Sequence, residues 1–127
     1  MLKVLFIAAG GAIGSVLRYY VAGWSQHWAG GSFPLGTMIA NVTGCLLIGF
    51  LATVLTGPVL IREEYRMGLL VGILGGYTTF STFSWETNRL AEDSEWLLAG
   101  INIVVSLVAC LVATWIGSRL ALYLYGP

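Results

Sequence analysis

Apolar residues run along this chain in four long stretches, separated only by short polar or turn-forming segments. A helix that crosses a bilayer needs about 20 predominantly apolar residues. The pattern predicts one such span from Val4 to Trp24, a second from Leu35 to Leu55, a third from Met67 to Leu90 and a fourth from Trp96 to Leu124. Gly30-Gly31 and Pro34 lead into the second span, and Thr56-Gly57-Pro58 ends it. A charged connection, Arg62 to Arg66, precedes the third span, and an acidic loop, Ala91 to Glu95, follows it. The expected architecture is therefore an all-α integral membrane protein: a single four-helix transmembrane domain over residues 1–127.

The third span departs from the pattern. Gly75-Gly76 interrupts it, and Thr78, Thr79, Ser81, Thr82 and Ser84 then crowd around Phe80 and Phe83 before Trp85 and Glu86. Broken helix at membrane depth persists only where it is buried in protein or lines a wet cavity. The third helix is accordingly expected to break near its middle, at the glycine pair, and to line an ion or substrate path or a tight protein contact.

Composition sharpens the class. The chain is 57% hydrophobic and only 9% charged, with a mean hydropathy of +0.85, against roughly 25% charged residues in soluble domains. The formal net charge is zero, so nothing points to nucleic acid as a partner. Met1-Leu2-Lys3 runs straight into apolar sequence and is read as the start of a retained first span, not of a removed signal. Cys45 and Cys110 lie inside apolar runs, where a structural disulfide is not expected. No metal-ligand spacing and no nucleophile–base–acid set occurs, so no enzyme activity is expected.

Small residues form faces on two spans: Gly10, Gly11 and Gly14 on the first, and Gly68, Gly72 and Gly76 on the third. Such faces let backbones approach closely, and here they suggest contact beyond one subunit, most simply in a homodimer. With four spans both termini share a side. That side carries Lys3, Arg62, Arg66 and Arg119; the other carries Arg18 and Arg89. So small a bias fits either a weak preference for one orientation or insertion both ways.

Several residues could carry chemistry. Asn41 is an amide near the middle of the second span, which should find a partner or a ligand. Phe80 and Phe83 project from one helix face, and their positive ring edges beside the Ser81 and Thr82 hydroxyls would suit a small anion. A half-helix after the break offers unpaired N–H groups, and the preceding one offers carbonyls. The Gly75 and Thr78 carbonyls are candidates for a hard monovalent cation. Asn102, Ser106, Cys110, Thr114 and Ser118, four residues apart, form one polar row along the fourth span, a candidate pathway lining. Glu86 and Arg89 could pair, and Arg18 could tie helices together by bonding carbonyls at a helix end. Donors without a central fixed charge suit a small, strongly hydrated anion, fluoride better than chloride.

These motifs together resemble the Fluc (CrcB-like) family of fluoride channels over essentially the whole chain. The resemblance rests on Gly10-Gly11-Ala12-Ile13-Gly14 with Arg18-Tyr19, on Pro34, Gly36-Thr37, Asn41 and Gly44, and most specifically on Gly75 through Ser84. It implies an antiparallel, dual-topology homodimer in the bacterial inner membrane with two fluoride pores. Phe80 and Phe83 would line the pores, Asn41 would donate to fluoride, and Ser81 and Thr82 would lie nearby. Ser106, Cys110 and Thr114 would form a polar track, from whose usual hydroxyls Cys110 departs. The Gly75 and Thr78 carbonyls of both subunits would hold a structural Na⁺ on the two-fold, and Glu86 would sit near a pore mouth. The implied role is passive export of fluoride that enters as HF.

Two other readings compete. A small four-helix multidrug exporter would need a carboxylate in the first span, and residues Val4 to Leu17 contain none. A non-transporting membrane subunit would explain the glycine faces but neither Asn41 nor the polar row.

Overall fold

The computed structural model describes residues Met1 to Gly126 and is helical throughout, with no strand among them. Helix α1 spans Leu2–Ala29 and α2 spans Leu35–Thr56. Segment 63–92 is composite: α3 (Glu63–Met67), a π-helical stretch (Gly68–Leu74), α4 (Gly75–Tyr77), two extended residues, and α5 (Phe80–Glu92). Helix α6 runs over Trp96–Tyr125. Of these, α1, α2 and α6 are long and apolar enough to cross a membrane. No unbroken helix does so between α2 and α6.

Local chemistry sets the ends. Gly30 closes α1 in the left-handed region (φ 63°), where its N–H reaches the Gln26 carbonyl at 3.2 Å. Gln26 then organises the turn into α2. Its amide nitrogen, Nε2, donates to the Gly31 and Phe33 carbonyls at 3.0 Å, and its Oε1 accepts the Gly36 N–H at 3.1 Å. Lys3 pairs with Glu63 at 2.7 Å, joining the start of α1 to the start of the composite segment.

The two glycine faces meet each other inside one chain. A Cβ on Gly10 would strike the Gly68 carbonyl, and one on Gly14 the Ile73 carbonyl. From the other side, Gly72 approaches the Ile7 carbonyl and Gly76 the Gly11 carbonyl. The close approach expected of these faces is present, and it joins α1 to the composite segment within one chain; of the six glycines only Gly11 faces open space. A second seam of the same kind joins α2 and α6, where Gly49 meets the Thr114 carbonyl and Gly117 the Leu46 carbonyl. Large apolar side chains such as Val104, Leu111 and Trp115 point outward, as a lipid-facing surface requires.

The break lies three residues later than the glycine pair. Gly75 is right-handed helical (φ −64°, ψ −36°). Thr78 (φ −91°, ψ 156°) and Thr79 (φ −154°, ψ 118°) are the extended residues. Gly76 serves the seam with α1, while the interruption itself is made by threonine.

Candidate ion pathway

Several polar groups freed by the break have identifiable partners. Asn41 on α2 grips Thr79 twice: its Oδ1 accepts the Thr79 N–H at 2.8 Å, and its Nδ2 donates to the Thr79 carbonyl at 3.0 Å. A primary amide can do this because it carries the same donor and acceptor as the backbone. The Thr79 N–H that would have continued the helix onto Gly75 is thereby withdrawn. Thr79 then caps α5, its Oγ1 accepting the Thr82 N–H at 3.2 Å. The Arg18 guanidinium reaches the Thr78 carbonyl at 3.4 Å, so Arg18 does tie α1 to a helix end.

A cavity of about 220 Å³ opens beside this clamp. Its walls are Asn41 and Cys45 from α2, Thr78 and Thr79 from the break, Phe80 and Phe83 from α5, and Ser106, Leu107 and Cys110 from α6. None of these carries a fixed charge. The phenylalanine rings stand 5.4 Å apart, tilted by 46°. Phe83 is buried, whereas Phe80 is 72% exposed. Asn41 retains a second Nδ2 proton beyond the one given to Thr79.

Two further cavities lie nearby, the second sharing a wall residue with the first and the third sharing wall residues with the second. Thr79 is also a wall of a cavity of about 460 Å³ that contains Arg18, Thr37, Thr82 and Glu86. Thr37 and Glu86 in turn border one of about 330 Å³ with Gln26, Trp85, Arg89 and Asp93. The Glu86 Oε1 accepts the Thr37 hydroxyl at 2.8 Å, while its buried Oε2 has no partner among the described residues. Glu86 does not pair with Arg89, whose guanidinium lies 5.8 Å from the Trp85 ring centroid.

The polar row on α6 divides. Asn102, 1% exposed, gives its Nδ2 to Thr87 Oγ1 at 2.8 Å and accepts the Ser106 hydroxyl at 3.2 Å. Thr87 in turn bonds the Phe83 carbonyl at 2.7 Å, so this chain of bonds braces Phe83 from behind. Ser106 and Cys110 reach the 220 Å³ cavity. Thr114 turns its hydroxyl to the Cys110 carbonyl at 3.0 Å, and Ser118 bonds the Gly49 carbonyl at 3.2 Å. These two belong to the α2–α6 seam and line none of the three cavities. Ser81 lines none either; its Oγ lies 3.2 Å from Thr79 Oγ1.

The structure thus gathers Asn41, Phe80, Phe83, Ser106 and Cys110 in one cavity and Arg18, Thr82 and Glu86 in the next. The sequence assigned no role to Thr87, nor to Cys45 beyond the absence of a disulfide, and it offered Thr79 and Thr37 only as members of polar motifs. Thr79 was legible as an N-cap threonine preceding a helical run. Thr87 was not, because its importance depends on where Asn102 falls across the helix–helix contact.

Comparison with known proteins adds an independent line. Residues 5–118 match the family described as CrcB-like protein, Camphor Resistance (CrcB). A relative from Geotalea daltonii, called a fluoride-specific ion channel FluC, is 45% identical over 98% of this chain and 100% of its own length. Relatives of the same description from Geobacter metallireducens and Rhodospirillum rubrum are 46% identical over 98% of this chain and 48% over 89%.

Proposed function

The chain belongs to the CrcB-like family, and from that footing we propose that it is a fluoride-specific ion channel, exporting fluoride passively across the bacterial inner membrane. It is a channel and not an enzyme. The observation that carries the reading is the uncharged cavity at the break, walled by an amide, two phenyl rings and a hydroxyl. Stripping water from a bare ion costs tens of kcal/mol unless the site repays it with contacts. The second Asn41 N–H and the positive ring edges of Phe80 and Phe83 supply them. Ser106 joins them by turning its hydroxyl from Asn102 toward the ion. Arg18 beside the neighbouring cavity favours anions at the approach. No carboxylate or histidine lines the 220 Å³ cavity to couple transport to protons.

In this reading α1, α2, the composite segment and α6 make four crossings, and the working unit is an antiparallel dual-topology homodimer with a pore on either side. Two features of the single chain support a second copy. Phe80 is exposed at the break, and the space a Cβ on Gly75 would occupy is open. The Gly75 and Thr78 carbonyls are oxygen donors of the kind Na⁺ prefers, two from each chain, so a structural Na⁺ would need both copies. It would lock the two breaks together and take no part in moving fluoride. Thr114 and Ser81 remain in the pore-side group of this reading only as supports for their neighbours' backbone and hydroxyls.

Fluoride efflux from liposomes tests the proposal. Phe80→Ile keeps bulk and removes the ring edge, so the variant is expected to form the same oligomer and to lose fluoride efflux. Efflux equal to that of the unaltered protein removes the rings from the mechanism.

A further inference from the structure

Two thiols face the same cavity. Cys45 on α2 and Cys110 on α6 are both unbridged, both partly buried, and both walls of the 220 Å³ space. The α2–α6 seam explains why they meet. Gly49 abuts the Thr114 carbonyl; one turn earlier on each helix, at the same spacing, stand Cys45 and Cys110. Thiols on facing helices at the wall of one cavity form a preorganised pair of soft ligands.

The number of ligands selects the metal. Structural zinc takes four protein ligands, and no cluster of three or more His, Cys, Asp or Glu exists among the described residues. A soft cation that accepts two ligands needs no others. Charge narrows the choice further. A monovalent cation on two thiolates leaves a net negative complex in an apolar wall, which is costly; a divalent one leaves a neutral complex.

We propose that Cys45 and Cys110 together form a two-coordinate site for a soft divalent cation such as Hg²⁺, and that the bound cation plugs the pathway. Two S–H bonds break and two S–Hg bonds form. The two protons pass to water, and no electrons are transferred. The bridge also ties α2 to α6 across the cavity. The site itself stands on the thiol pair, while the plug rests on the channel reading.

The test uses the full chain, purified and also reconstituted in liposomes, titrated with Hg²⁺ and then challenged with glutathione. The expected stoichiometry is one Hg²⁺ per chain, protecting both cysteines from alkylation together. Cys45→Ser and Cys110→Ser, each checked for the unaltered elution volume, should retain Hg²⁺ at least about tenfold less well, since the second thiol no longer acts at high effective concentration. Should either serine variant elute differently, the alanine replacement at that position takes its place. Two Hg²⁺ per chain, or single variants that hold the cation as well as the unaltered protein, overturn the site. Efflux with Hg²⁺ is compared with efflux without it for each protein separately. Loss of fluoride efflux only where both thiols are present supports the plug, and undiminished efflux from loaded protein overturns it. Absence of fluoride efflux before metal is added overturns the channel reading and the plug, and the stoichiometry still decides the site.

Discussion

Asn41 holds the break open by doing the work of a strand neighbour for one residue. Its amide satisfies both backbone groups of Thr79 that the helix has released. An unsatisfied buried backbone group costs about 1–3 kcal/mol, so Asn41→Ala, which leaves two, should destabilise the fold by about 2–6 kcal/mol on that scale and abolish efflux. Asn41→Asp keeps the acceptor for the Thr79 N–H and loses both donors. It should therefore retain more thermal stability than Asn41→Ala while still losing fluoride efflux. Thermal unfolding in detergent alongside efflux checks the pair. Equal stability of the two variants would show that the Thr79 N–H needs no partner.

Among the helices, close packing depends on glycine at particular places. Gly14 and Gly117 lie so near a facing carbonyl that an added methyl must displace backbone. Gly14→Ala and Gly117→Ala should each cost about 1–3 kcal/mol of stability, as is typical of overpacking, and so lower the unfolding temperature. Gly11→Ala and Gly100→Ala, where the added atom meets open space, should leave it unchanged. Melting curves of the four variants check this, and indifference at Gly14 and Gly117 would show that the seams can open without cost. The same contacts mark how far the sequence could be read. Helix positions came through within a few residues, because apolar length is a local property. The partners of the glycine faces did not, since pairing residues 10 and 14 with 68 and 73 needs the folded chain. The break was placed at Gly75-Gly76 because glycine is the common interrupter. Here the helix tolerates both glycines, and the paired hydrogen bonds from Asn41 hold the chain extended at Thr79. Likewise the row from Asn102 to Ser118 read as one surface, yet the α2–α6 seam claims its lower half.

The whole molecule exposes what one chain cannot cover. The ring of Phe80 stands mostly free, at the break where a second copy is proposed to dock. A dual-topology dimer requires both orientations in one membrane. Membrane-impermeant labelling of a cysteine added at a terminus should therefore reach about half of the chains from either side, the even split that two orientations impose. Complete labelling from one side would reject the antiparallel arrangement. For the proposed Na⁺, an imposed Na⁺ gradient should drive no fluoride movement, because an ion held between two breaks is part of the structure; fluoride uptake that follows the gradient would make it a transported ion.

Every one of these expectations depends on uncharged groups replacing the water around one particular small anion. The most direct measurement is ion efflux from liposomes containing only the purified protein, with fluoride and chloride compared at equal gradients. Fluoride should leave rapidly once its charge is compensated, while chloride stays trapped. Vesicles that hold fluoride as firmly as protein-free ones, or that release both ions alike, would contradict it.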